Sequence, residues 1–146
     1  YDLFFFVTHV PLHKVPFLYK LCHARHHYNA EARASDTIRL TAIEEFTDVA
    51  CSIAALRILH AHPISRTLYN FVITGLLTDL HCGYDTPWQL QNVVPFGLWS
   101  GSRRHHRHHQ GAGSQMYYQK FFTYADNLFD FVEKQQHVRV ATPTTL

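Results

Sequence analysis

Arg103-Arg104-His105-His106-Arg107-His108-His109 is the stretch on which the reading of this chain turns. Residues three and four apart on a helix share a face, so His105, His108 and His109 can aim their rings at one point if the stretch is helical. His23-Ala24-Arg25-His26-His27 repeats the same His-x2-His-His spacing, and His9-Val10-Pro11-Leu12-His13 adds a pair one helical turn apart. With the single His81 the candidate metal ligands are His9, His13, His23, His26, His27, His81, His105, His108 and His109. A tetrahedral zinc site uses about four ligands, so a set of this size fits a dinuclear centre better. Residues 103–109 alone could be a solvated basic loop that binds phosphate, but the matching spacing at residues 23–27 favours ligation.

Outward from the clusters, the composition is that of a folded domain: 146 residues, 47% hydrophobic and 14% aromatic, allow one modest core. Thirteen Lys and Arg against eleven Asp and Glu leave a net charge of only +2, so a general attraction to nucleic acid is not expected. Cys22, Cys51 and Cys82 stand far apart without a C-x-x-C pair, which argues against a disulfide framework or a thiolate zinc site and for a reducing compartment. There is no Gly-rich phosphate loop and no signal-peptide pattern. Imidazole alone does not choose between iron, zinc, copper and nickel. An apolar chain without thiolate pairs, haem attachment or nucleotide loop points to oxygen activation by iron on a hydrophobic substrate. His60, His62 and His137 lie outside the clusters and read as turn or surface residues, with His62 at a helix end before Pro63.

The apolar segment 1–9 reads as the end of a helix that begins upstream, which marks the chain as a fragment. Pro11 and Pro16 are expected to interrupt the helical pattern beyond it, and a helix to resume from Leu18 to His27. Apolar residues at helical intervals predict one helix from about Thr41 to Leu59, ended by Pro63, and a second from about Ile64 to Leu80, together a hairpin. Neither reaches the roughly 18 apolar residues of a confident membrane span, so buried, re-entrant and spanning helices all stay open. Gly83, Pro87, Pro95, Gly97 and Gly101 predict an irregular connection. The aromatic run 117–124 leads into a last helix around Leu128, Phe129, Phe131 and Val132. The domain is expected over residues 1–134, with a loose tail at 135–146.

Ligating histidines usually give their second N–H to a carboxylate or carbonyl. Glu44, Glu45, Asp48, Asp79 and Asp85 are the candidate carboxylates, and Glu45, Asp79, Asp85 and His106 are carried forward as outer partners of the cluster. Glu44 and Glu45 could equally be an ordinary polar helix start, and Asp85 could simply stabilise a turn.

With these motifs in order, the chain resembles the fatty acid hydroxylase and sterol desaturase superfamily of membrane diiron enzymes. His9 to His13 is similar to that family's H-x3-H box, His23 to His27 to its H-x2-H-H box, and His105 to His109 to its third box. His81-Cys82-Gly83-Tyr84-Asp85-Thr86-Pro87-Trp88 resembles its H-S-G-Y-D-x-P-W stretch, and Phe122-Thr123-Tyr124-Ala125-Asp126-Asn127-Leu128-Phe129 its F-T-x-W-D-x-L-F ending. The resemblance implies an all-α, membrane-associated helical bundle with a histidine-rich diiron cap, here without its upstream membrane helices. It implies two ferrous ions held by the nine histidines named above, dioxygen as co-substrate, a sterol or fatty acyl lipid as substrate, and hydroxylation or desaturation as the reaction. It further implies an endoplasmic reticulum membrane and an electron donor such as cytochrome b5. The chain departs from the pattern at Cys82, Ala125 and Asp130, where the family commonly has Ser, Trp and Gly. Glu44-Glu45-Phe46-Thr47 stands where many relatives have His-Pro, which makes Glu44 or Glu45 a candidate replacement for a ligand there. The competing readings are an inert or truncated paralogue that binds metal or lipid, and a zinc-dependent hydrolase with Glu44 or Glu45 as base, which works without oxygen.

Overall fold

Helix α1, Asp2–Lys14, buries Phe5, Phe6, His9 and His13 on one face. The computed structural model, which describes residues 1–132, carries this helix straight through Pro11. The expected interruption does not occur because the Pro11 ring lies on the exposed side and Val15 N–H still reaches the Pro11 carbonyl at 3.0 Å. The turn breaks at Val15, whose extended backbone leads into Pro16. Residues Leu18 to His27 do not form the single helix expected. A short turn, Pro16–Leu18, passes into a wide π-turn, Tyr19–His23, and then a 3-10 turn, His26–Tyr28. The change of pitch turns His23 and His26 inward, where both are buried.

Helix α2, Ala42–Ile58, starts at Thr41, whose hydroxyl oxygen accepts the Glu44 N–H at 3.3 Å, and Glu44 and Glu45 put negative charge in its first turn. Helix α3, Pro63–Leu80, starts at His62, whose Nδ1 accepts the Ile64 N–H at 3.2 Å. Pro63 therefore opens α3 rather than closing α2, and the connection turns at His60, where φ is 50°. Helix α4, Gly101–His109, carries the last histidine cluster. Helix α5, Tyr124–Leu128, is the last helix among the described residues, shorter and earlier than expected, because Asp130 at φ 56° turns the chain away before Phe131. Between α3 and α4 lie only the short turns Leu90–Val93 and Pro95–Gly97.

The described residues are all-helical apart from one isolated antiparallel bridge between Trp99 and Phe122. The expected tail at 135–146, with His137, lies outside them. The apolar core is small, with Phe6, Tyr118 and Ala125 buried and Val10 and Phe131 packed against them. Histidine is the most frequent residue type in the rest of the interior. Among the described residues no helix is long and apolar enough to cross a membrane. The α2–α3 hairpin nonetheless leaves Phe46 and Phe71 each 75% exposed, with Ile43, Leu68 and Val72 also open.

Residues 116–122 close the fold as a strap between the two ends of the chain. Asp2 accepts the N–H groups of Phe121 and Phe122, both at 3.0 Å, and Asp126 accepts those of Tyr118 and Gln119 at 2.9 and 3.0 Å.

Candidate metal centre

Helix α1 supplies His9 and His13, the π-turn His23, the 3-10 turn His26 and His27, the end of α3 His81, and α4 His105, His108 and His109. Their ring nitrogens gather at two points. His9, His13, His23, His27 and His108 offer atoms within 4.8 Å of one another, and so do His26, His81, His105 and His109. All nine histidines singled out by spacing are thus brought together, and only His27 among them is not fully buried. The His9 group and the His81 group adjoin, with the rings of His27 and His109 stacked at 4.4 Å between centroids.

Backbone carbonyls fix several of the tautomers. His9 Nδ1–H donates to Tyr118 O at 2.7 Å, His108 Nδ1–H to Met116 O at 2.6 Å and His81 Nδ1–H to Leu77 O at 2.8 Å. A carbonyl can only accept, so the Nε2 of each of these rings carries a lone pair. Burial, reinforced by the neighbouring rings, holds the cluster neutral: it pushes His108 down to about 4 and His109 to about 3, and His9, His23, His26 and His105 well below the ordinary histidine range. His81 is likewise pushed down to about 4, mainly by burial. On the far ring nitrogen of His23, Nδ1–H meets Glu44 Oε1 at 2.7 Å, and burial pushes the Glu44 carboxyl up to about 8 against the opposing pull of Lys120.

These residues fit a metal. His9 Nε2 lies 3.0 Å from His23 Nε2 and 3.1 Å from His13 Nε2; His105 Nε2 lies 2.8 Å from His81 Nε2 and 3.1 Å from His109 Nε2. A metal–nitrogen bond of about 2.1 Å places ligands at right angles about 3.0 Å apart. His108 Nε2 and both ring nitrogens of His27 are buried with no hydrogen-bond partner among the described residues. A buried polar atom left unmatched costs about 1–3 kcal/mol. Converging lone pairs and orphaned nitrogens are what a cation at each point would satisfy. Nitrogen donors without a thiolate suit a borderline metal such as iron or zinc.

The outer partners sort differently from the sequence expectation. Glu44 reaches a histidine, whereas Glu45 is exposed on the next position of α2. Asp79 accepts from Gln89 Nε2 at 2.9 Å. Asp85 accepts from Asn92 at 2.7 Å, Gln91 at 2.8 Å and Arg103 Nε at 3.0 Å, a set that draws its carboxyl down to about 2 and ties the 83–92 loop to α4. His106 turns to Gln110, Nε2 to Nε2 at 3.0 Å, on the outer side of α4. Asp48 accepts from Lys120 Nζ at 2.9 Å and from the Tyr1 hydroxyl rather than from a histidine. The carbonyls of Leu77, Met116 and Tyr118 are the partners that sequence reasoning misses, and no residue type signals them.

A groove of about 570 Å³ runs between α2 and α3, walled by Leu40, Val49, Ile53, Leu56 and Ile73 with Glu45 and Arg66. Thr37, Leu40, Asp48 and Leu77 also line a smaller recess that includes His9, His26, His81 and His105, so the groove abuts both histidine groups.

The family model for fatty acid hydroxylase matches residues 1–130. A cholesterol 25-hydroxylase-like protein of Danio rerio is 35% identical over 88% of this chain and 51% of its own length. The cholesterol 25-hydroxylase of Homo sapiens is 31% identical over 88% of this chain and 46% of its own, and the Caenorhabditis elegans cholesterol 25-hydroxylase-like protein is 28% identical over 90% and 42%. This chain therefore spans about half the length of the curated relatives it matches. No solved structure matches it.

Proposed function

Since the chain belongs to the fatty acid hydroxylase family, we propose that it is the histidine-bearing part of an oxygen-dependent lipid hydroxylase with one iron at each histidine group. The observation that carries this reading is the gathering of nine buried or half-buried histidines at two adjoining points, with lone pairs fixed inward. His9, His13, His23, His27 and His108 would hold one ion, and His26, His81, His105 and His109 the other. When bound, the two irons supply the activation of dioxygen and the cleavage of an unactivated C–H bond. The net change is that dioxygen, two electrons, two protons and a C–H group give an alcohol and water. Relatives named as hydroxylases favour hydroxylation over desaturation.

The protein's own part is to position and to exclude water. Tyr118, Met116 and Leu77 orient rings through their carbonyls, and Glu44 holds His23. The groove between α2 and α3 is the place for the substrate, a sterol or acyl lipid: Leu40, Val49, Ile53, Leu56 and Ile73 offer it apolar contact beside polar neighbours such as Asp48, Arg66 and Asn70, and its volume falls in the usual range for ligand sites. The exposed apolar residues of the hairpin support association with a membrane. An endoplasmic reticulum membrane and an electron donor such as cytochrome b5 complete the proposal. A zinc hydrolase needs a free carboxylate base at an open site; Glu44 is instead engaged on the outer nitrogen of His23, and Glu45 lines the groove rather than the recess that holds His9, His26, His81 and His105.

The test is to purify the full-length protein anaerobically in detergent, load it with iron-57, and record iron per chain, the Mössbauer spectrum and lipid products under oxygen with reductant. Two coupled irons and an oxygen-dependent hydroxylated lipid are expected. A single zinc, or turnover that needs no oxygen, overturns the reading.

A further inference from the structure

Asp126 is fully buried, and its carboxylate lies against the strap rather than against any histidine. Both its oxygens accept backbone N–H groups, the pairing a carboxylate makes, and these oppose the burial that pushes its carboxyl up to about 6. One of those N–H groups, that of Gln119 at 3.0 Å, belongs to the same planar peptide as the Tyr118 carbonyl. That carbonyl accepts Nδ1–H of His9 at 2.7 Å. Carboxylate, peptide and imidazole therefore stand in one line of hydrogen bonds. An anion on the N–H side of a peptide draws electron density toward the carbonyl oxygen and makes it a stronger acceptor. A stronger acceptor on Nδ1–H makes Nε2 a better donor to a metal, as a carboxylate does when it touches a ligating histidine directly.

We propose that Asp126 is a positioning residue for the His9 group, acting through the Tyr118–Gln119 peptide to orient His9 and strengthen its Nε2 as a ligand. The inference rests on the reading of the histidine groups as metal sites. The geometry separates it from a merely structural role. Asp2 grips the same strap, through the N–H groups of Phe121 and Phe122 at 3.0 Å each, but the Lys120 and Phe121 carbonyls of those peptides receive no histidine among the described residues; Phe121 O accepts Ser100 N–H at 2.7 Å. Asp2 thus shares the mechanical task and lacks the line to a ligand. Gln119 adds to the strap by accepting Ala125 N–H on its side-chain oxygen at 2.8 Å.

The experiment compares full-length wild type, Asp126→Asn and Asp2→Asn, each loaded with iron-57, by competition with a chelator and by Mössbauer spectroscopy, with circular dichroism and thermal unfolding as the check on folding. Asp126→Asn is expected to keep its helical content while one of two irons binds about 10–100-fold more weakly with an altered quadrupole splitting. Asp2→Asn is expected to melt earlier with both iron signals intact. If Asp126→Asn does not fold, Asp126→Glu takes its place, since it keeps the charge and displaces the contact by one methylene. Both irons held at wild-type affinity with a wild-type spectrum in the Asp126 variant overturns the inference, as does an equal change at the same iron in Asp2→Asn. A wild-type protein that takes up no metal overturns the family-based reading, and this inference with it.

Discussion

At Glu44 and Glu45 a single position along α2 separates a carboxylate on His23 from one exposed in the groove wall. Glu44→Gln is expected to weaken metal binding by about 10–100-fold, and Glu45→Gln to leave it unchanged, as read by chelator competition. Equal loss in both variants would mean that the first turn of α2 matters only as a helix start. The same logic divides the histidines. His27→Ala removes a ring with two orphaned nitrogens from the His9 group and should cost an iron, whereas His106, which belongs to neither group and turns its Nε2 to Gln110, should cost none when replaced by Ala. Metal counts per chain decide. Spacing points to every clustered histidine because i, i+3 and i, i+4 intervals are local. It does not separate Glu44 from Glu45, since which of two adjacent carboxylates faces inward depends on how α2 is rotated against residues distant in the chain.

At the scale of elements, the α2–α3 hairpin is legible to within a few residues because apolar periodicity and the Pro63 signal are both local. Pro11 misleads for a physical reason: proline in a helix costs a hydrogen bond and a clash, but burying His9 and His13 on one face holds the turn in place. The π-turn at Tyr19–His23 has no residue signature. Helix α4 begins at Gly101 with φ 68°, and a Cβ built there would lie 1.8 Å from the Gln91 side-chain oxygen and 2.6 Å from Gln91 Cβ. Gly101→Ala therefore combines a strained backbone with a collision, and should destabilise by about 1–3 kcal/mol. Thermal unfolding measures it, and a melting point unchanged from wild type would mean that the Gln91 side chain moves aside at no cost. Because α4 bears His105, His108 and His109, weaker metal binding should accompany the loss.

For the whole molecule, the small apolar core and the histidine-filled interior predict a metal-free fold sensitive to acid. The folded state depresses His81 and His108 to about 4 and His109 to about 3, so it holds fewer protons than the unfolded chain, whose histidines titrate near 6.5. The stability they provide is present above about 6.5 and is lost as pH falls through 6.5 toward 4. Glu44, raised to about 8, Asp126, raised to about 6, and Asp2, also raised by burial, act in the opposite sense, since their contribution is lost as pH rises through their folded values, but three carboxyls do not offset nine rings. The metal-free melting temperature should fall steeply from pH 7 to pH 5, and a flat profile would show that the rings are hydrated in solution. Which helices form can be read from the sequence; how the ends meet cannot, because Asp2 and Phe121 are joined across 119 positions. That junction bears on biosynthesis. The His9 group takes His108 from α4 and its Tyr118 brace from the strap, so a nascent chain that has emerged only as far as α3 has neither group in working order. On the proposed reading, loading with metal would follow translation of the strap, and a ribosome stalled before residue 118 would display the first two histidine boxes to solvent as a loose, promiscuous chelator.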